Sequence, residues 1–437
     1  MTGRRRSSTP RPSWTSRIGA LRIPAAVAAG SVLATGCGAI PGTSDGSRES
    51  IKVMTFAPEE TQATNMPGMP AMAKAYARWV NSRGGIDGHE LEVITCNEGN
   101  TPAGARACAR RAVDENADAV VGSYSQHGSA FMAPLQAAGI PFIGGYGISR
   151  EEFTSYRSYP VNGGQAALIA GHGLQLADAC RRVALVRPDS LAGDEMPLLL
   201  NAGLSKGGHS SSTDILAPED ATEYTRHADQ ARSKAGAGAE TSDDPRPGCV
   251  TAALGEHTET FFDSFRRLPE DGRSVRVSSV LGSVGQSLID RTGGRNGPFE
   301  GAFITGWYPD AGDPRWQEMQ GVIESHAFGD NRIDSADAGV QTTWIAYTVL
   351  NAVVRSLDSD EITPGKIARV LDRGLQVSTG GLTPALRWDH QDMLGTPGYP
   401  RVVNRGVTFQ VVRDGRLVAQ QKGFVDVSRT LTASVTG

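Results

Sequence analysis

Apolar and polar positions along the chain switch repeatedly between the two-residue period of strands and the longer period of helices. Residues 51–57 form a mostly apolar stretch that predicts a strand. Met69, Met72, Ala73, Tyr76 and Val80 then fall at helical spacing, and Gly84-Gly85 ends that helix. Residues 91–95 alternate as a second strand. Thr101 followed by Pro102 predicts a helix cap with proline in the first turn, and Ala105, Cys108, Ala109 and Ala112 supply one face. Residues 119–121 are a short buried strand ending at Gly122; a helix over 129–138 and a fourth strand from Pro141 follow. This strand–helix order implies a parallel sheet covered on both faces.

The pattern then restarts. Helices are expected near 166–178, 196–204, 222–233 and 258–267, and strands at 182–186, 213–216, 250–254, 275–280 and 301–305. Residues 235–248, rich in Gly, Ala, Pro and acidic side chains, read as a surface insertion. A long helix near 338–356 carries Trp344, Tyr347, Val349 and Leu350. No short fixed period repeats. The expected fold class is therefore α/β, with two similar lobes, each a parallel sheet flanked by helices.

The first fifty residues follow other rules. Residues 1–36 hold six arginines (Arg4, Arg5, Arg6, Arg11, Arg17 and Arg22) and no acids. An apolar run over 23–34 is too short to span a bilayer as a helix and reads as the core of a signal peptide over 1–36. The run 33–38, Leu-Ala-Thr-Gly-Cys-Gly, resembles a bacterial lipobox, in which the cysteine, here Cys37, takes a diacylglyceryl group. The usual leucine three places before the cysteine is replaced by Ala34, with Leu33 one place further out. The competing reading is a plain cysteine in a cleaved leader. Residues 37–49 would be a polar, flexible tether.

Subtracting those six arginines from the formal charge of −4 leaves −10 for the rest of the chain. That excludes a broad nucleic-acid-binding surface, which needs concentrated positive charge. Besides Cys37, four cysteines remain: Cys96, Cys108, Cys180 and Cys249. An even number in an exported chain suggests pairs. Cys96 ends a predicted strand and Cys108 lies on the inward face of the next helix; Cys180 and Cys249 each stand just before a strand. Pairs Cys96–Cys108 and Cys180–Cys249 are expected, against the alternative of four buried thiols. With no Cys-x-x-Cys and no histidine cluster, no metal site and no cofactor is expected.

Several segments resemble the type I periplasmic binding proteins, and more narrowly those for leucine, isoleucine and valine. They are Ile51-Lys52-Val53 with Ala57-Pro58, the turn Gly84-Gly85-Ile86-Asp87-Gly88, residues 117–122, residues 139–143, Gly306-Trp307-Tyr308-Pro309 and residues 383–389. The order of these segments, over residues 50–430, carries the resemblance. It implies two lobes joined by three crossings with a ligand cleft between them: lobe one at 50–160 plus 303–378, lobe two at 161–302 plus 379–437. The partners implied are a small-molecule ligand (an amino acid, amide or small carboxylate), ABC permease subunits, and the outer face of the cytoplasmic membrane through the lipid anchor.

The resemblance also implies that the loops after Gly122 and Ile143 hold a ligand carboxylate, at Ser125, Gln126, Tyr146 and Gly147. The competing reading makes Ser125 or Ser129 an ordinary helix cap. On lobe two the family's acidic residue falls near Ser283, where no carboxylate stands. Glu256 and His257 follow a predicted strand; Ser190 and Leu191 follow another, where the family has tyrosine. An ammonium buried without an anion costs several kcal/mol. So either Glu256 or Asp194 substitutes, or the ligand is not a standard α-amino acid.

Three function classes remain in view. The first is a solute receptor of an importer, which is not an enzyme. The second is a binding lipoprotein that signals to a membrane kinase. The third is a hydrolase built on Ser125, His127 and Asp118, which lacks the Gly-x-Ser-x-Gly elbow around Ser125. No phosphate-binding Gly-x-x-x-x-Gly-Lys-[Ser/Thr] loop is present. If Cys37 carries lipid, the wild type expressed in a bacterial host will partition with membranes and Cys37→Ala will not; equal partitioning of the two overturns the assignment.

Overall fold

The computed structural model describes residues 48–436 apart from 62–63, 219–220, 238–243, 270–271 and 273–274. Cys37, the expected signal segment and most of the expected tether lie outside the described residues. The first strand begins at Arg48, so the last two tether positions already belong to the fold.

Among the described residues the strands form two sheets. The first contains β1 (Arg48–Ala57), β2 (His89–Asn97), β3 (Ala119–Val121), β4 (Phe142–Ile143) and β5 (Ser158–Tyr159), all parallel, in the order β2-β1-β3-β4-β5. The short strands are fully buried, which is why they read as continuous apolar runs. The helix Pro102–Asp114 starts as its spacing predicts: Thr101 Oγ1 accepts from Gly104 N at 3.0 Å, and Pro102 stands in the first turn. The helix Ala338–Leu357 covers the other face. Its Tyr347 hydroxyl meets Thr55 Oγ1 at 2.8 Å, and its Asp337 cap accepts from Val340 N at 2.9 Å.

The second sheet contains β6 (Arg182–Pro188), β7 (Thr213–Ala217), β8 (Gly248–Ala252), β9 (Val275–Val280), β10 (Phe303–Gly306), β11 (Gly406–Arg413), β12 (Arg416–Ala419) and β13 (Val425–Asp426). Its order is β12-β11-β10-β9-β8-β6-β7, with β13 beside β11. Strands β6 to β10 run parallel; β11 to β13 add antiparallel strands. These three strands, all after residue 400, thus extend the sheet. Strand β10, which on sequence opens a lobe-one segment, pairs instead between β9 and β11. The chain returns to the first lobe only after it, through Trp307 and Tyr308. Residues past 378 keep contact with the first lobe: Val377 bridges Leu386, Trp388 Nε1 donates to Pro160 O at 3.1 Å, and Arg401 N donates to Phe153 O at 3.0 Å. Helices Gln317–His326 and Pro364–Asp372 had no sequence expectation. The helix expected at 222–233 runs Thr225–Gly236.

The three crossings are stitched together by buried side chains. Asn162 Nδ2 donates to Tyr308 Oη at 3.1 Å, and Gly164 N donates to Asn162 Oδ1 at 2.9 Å. Trp307 Nε1 donates to Gly164 O at 2.8 Å. Asn404 Nδ2 donates to Val161 O at 3.0 Å, and Thr408 Oγ1 donates to Tyr308 O at 2.7 Å.

The disulfides Cys96–Cys108 and Cys180–Cys249 are both formed, with Cα separations of 5.7 and 5.8 Å. Cys96 in β2 is joined to Cys108 in the middle of the helix Pro102–Asp114, and Cys249 in β8 to Cys180 at the end of the helix Gly164–Ala179. Removing Cys96–Cys108, which closes a 12-residue loop, should cost about 3 kcal/mol, and removing Cys180–Cys249, which closes 69 residues, about 4 kcal/mol. Urea unfolding of the two Cys→Ala pairs measures both losses; a long-loop variant less destabilised than the short-loop one contradicts the ranking.

Candidate functional site

Parallel sheets bind ligands beyond the carboxyl ends of their strands, where the strand order reverses. The first sheet reverses at β1 and β3, the second at β6 and β8. The loops leaving those strands converge. From the first lobe come Thr64 and Met66 after β1, Tyr124 and Gln126 after β3, and Tyr146, Gly147 and Ile148 after β4. From the second come Pro188 at the end of β6 and Ser190 after it, Ala253 to Gly255 and His257 after β8, and Val280 at the end of β9 with Leu281 to Ser283 after it. With Gln165, Leu168, Met196 and Trp307 they enclose a cavity of about 360 Å³, within the range of small-molecule sites.

Aromatic rings form one wall. Tyr146 stands edge-on to Tyr124 at 5.1 Å between centroids and edge-on to Trp307 at 5.1 Å, a favoured geometry worth about 0.5–1.5 kcal/mol per pair beyond burial. Burial pushes both tyrosine hydroxyls above the usual phenol range, so they remain neutral donors. Met66, Leu168, Met196, Leu254, Val280 and Leu281 complete an apolar lining. Among the described residues no Asp, Glu, Lys or Arg side chain lines this cavity. The polar groups are few. Ser190 Oγ is buried with no partner, and Gln126, Gln165, His257 and Ser283 stand at the rim.

The loop expected to cradle a carboxylate already holds one of the protein's own. Glu152 accepts from Gly147 N at 2.9 Å, Ile148 N at 3.0 Å, Ser149 N at 2.9 Å and Ser149 Oγ at 3.0 Å. Burial pushes its carboxyl up to about 7, against those four donors. Ser149 and Glu152 have the Ser-x-x-Glu spacing of a capping box, but the Ser149 hydroxyl donates to Glu152 and caps no backbone N–H. The space left by the missing side chain of Gly147 is taken by Asn162 and Gly164 of the first crossing. Ser125 is likewise committed: its hydroxyl donates to buried Glu98 at 3.1 Å and accepts from His127 N at 3.1 Å. Ser125 is absent from the cavity wall.

Of the expected residues, then, Gln126, Tyr146, Gly147, His257 and Ser283 meet at the cavity, with Gly147 offering no free N–H. The side chains of Leu191 and Glu256 lie outside the described residues. Asp194 pairs with Arg187 at 2.8 Å, and Arg187 also holds Asp214 at 2.9 Å, so Asp194 is committed away from a ligand. Ser190, named beside Leu191 after β6, lines the cavity, whereas Tyr124, Met66, Thr64, Met196 and Trp307 were missed as lining. Trp307 stood in a quoted segment, but its orientation depends on the Gly164 hydrogen bond. The hydrolase arrangement does not assemble. Asp118 accepts from Lys52 N at 3.0 Å at the entrance of β3, while Ser125 and His127 follow that strand's other end.

Two α/β lobes pinching a cavity between the carboxyl ends of their parallel strands define a two-lobed binding fold. Residues 60–399 match the periplasmic binding protein family, and the chain belongs to it. Its members are non-enzymatic solute-binding proteins that work outside the cytoplasm. Among solved structures it is similar to a substrate-binding periplasmic protein from Ralstonia solanacearum: 16% identity, TM-score 0.67, covering 85% of this chain and all of that one. It is also similar to a possible leucine/isoleucine/valine-binding protein from Rhodopirellula baltica (15%, 0.66, 86% and 97%). A third is an ABC transporter solute-binding protein from Rhodopseudomonas palustris in complex with 3,4-dihydroxybenzoic acid (14%, 0.66, 86% and 98%). No curated protein matches the sequence.

Lobe closure at the cavity depends on Gly282. Its φ is +90°, and a Cβ there would lie 2.3 Å from Tyr146 Oη across the cleft. Gly282→Ala should destabilise the protein by about 1–3 kcal/mol through backbone strain and the clash together. Adding Tyr146→Phe should recover the clash part. Urea unfolding checks this; a single variant as stable as wild type contradicts it.

Proposed function

We propose that this protein is the lipid-anchored solute receptor of an ABC importer, and that the part of its solute held in this cavity is a compact, largely apolar aromatic group. The observation that carries the ligand class is the cavity lined by Tyr124, Tyr146 and Trp307 with no ionised side chain among the described residues. A zwitterionic amino acid would need an anion for its ammonium and donors for its carboxylate. The loop N–H groups that would serve the carboxylate are occupied by Glu152. An uncompensated buried charge costs several kcal/mol, whereas a ring against three aromatic side chains gains burial and edge contacts. The relative from Rhodopseudomonas palustris, solved with 3,4-dihydroxybenzoic acid, supports an aromatic solute within this fold.

In this reading lobe one comprises 48–160 and 307–401, and lobe two 161–306 and 402–436. Ser190 Oγ, Gln126 and His257 receive the solute's polar substituent, and Cys37 holds the receptor at the membrane beside its permease. The second reading is an amino acid whose ammonium meets Glu256.

Calorimetry on the purified mature chain separates the two readings. Phenols and aromatic alcohols such as 4-hydroxybenzyl alcohol should bind, Tyr124→Ala should weaken them roughly tenfold or more, and L-leucine should give no heat. Leucine binding that is lost in Glu256→Gln would sink the aromatic assignment.

A further inference from the structure

We infer that the solute is bipartite: an aryl group in the cavity described above, and a neutral, hydroxyl-rich substituent in a second chamber that adjoins it. The inference rests on the reading of that cavity as an aromatic site. The second chamber has a volume of about 710 Å³, nearly twice that of the first. Gln126, Gly147, Ile148, Gln165 and Met196 line both, so a molecule can lie across the shared wall. A single ring fills only the inner space.

The two chambers differ in chemistry. The inner one has no ionised lining among the described residues. The outer one carries Arg150, Glu151, Glu195, His127 and Tyr399. Donors and carboxylate acceptors face one chamber together. Hydroxyl groups both donate and accept, so a polyhydroxyl substituent satisfies both kinds of partner, and a single net charge satisfies only one. His127 Nε2 is buried with no partner, although the backbone N–H of His127 is bonded to Ser125. A buried polar atom left in that state has lost its bond to water with nothing in exchange, and a hydroxyl of the solute would supply the missing bond. At the outer edge, Tyr399 Oη donates to Glu195 Oε2 at 3.2 Å. Tyr399 stacks edge-on to Phe153 of lobe one, and Glu195 belongs to lobe two, so the pair spans the chamber mouth.

The test compares 4-hydroxybenzyl alcohol with its 4-O-β-glucoside by calorimetry on the full mature chain. The wild type should bind the glucoside at least tenfold more tightly than the aglycone. His127→Ala should bring that ratio close to one. Glu195→Gln, which keeps the side-chain shape, is the second variant should His127→Ala not fold by circular dichroism; it should lower the ratio as well. A glucoside bound no more tightly than the aglycone overturns the second chamber and leaves the aromatic cavity standing. A ratio unchanged in the folded variants overturns it too. If neither compound binds the wild type, the aromatic reading fails and the inference fails with it.

Discussion

Much of this molecule depends on the buried hydrogen bond from Asn162 to Tyr308 at 3.1 Å. The two residues lie on different crossings between the lobes, and both are fully buried. The same Asn162 amide reaches Tyr146 O at 3.3 Å, so the hinge also holds the loop that carries the cavity's central ring. Tyr308 follows Trp307, the third ring of the aromatic wall. Cavity wall and hinge are therefore neighbours in sequence and joined by hydrogen bonds. A buried polar group that loses its partner costs the desolvation of that group, so this network is costly to break.

The treatment of carboxylates follows from the same economy of polar groups. Glu98 and Glu152 are buried, and each is satisfied by groups that sequence reasoning would assign to a ligand: the Ser125 hydroxyl and the Gly147 to Ser149 amides. The first lobe thus meets its anion-binding capacity internally. What it turns toward the inner cavity is aromatic surface and neutral hydrogen-bonding groups. Arg187 on lobe two is handled alike, held between Asp194 and Asp214 and kept out of the cavity.

The architecture was legible where a buried strand is a short apolar run, as at 119–121, and where a helix carries a period, as over 69–80, or a cap, as at Thr101-Pro102. The converging loops were legible for the same reason, since strand ends fix where they emerge. The direction of individual donors was not. Gly147 reads as room for a ligand, yet the room is filled by Asn162 and Gly164, and only the folded chain brings 162–164 there. Ser125 reads as a free hydroxyl because Glu98 lies 27 positions away. Strand β10 was misplaced because the pattern marks strands without naming their sheet, and its partner β11 comes a hundred residues later. Loop residues 58–66 carry no periodicity, so Thr64 and Met66 left no signal beyond their place after β1.

The disulfides divide the labour of the chain. Cys96–Cys108 lies wholly in the first lobe and Cys180–Cys249 wholly in the second. Neither crosses the hinge. Covalent stiffening is thus confined to the parts that must move as units, while the crossings are held only by hydrogen bonds. An oxidising compartment therefore makes each lobe a more rigid jaw without changing the stiffness of the joint. The redox state of the surroundings thus bears on the stability of each jaw and adds no covalent link across the hinge.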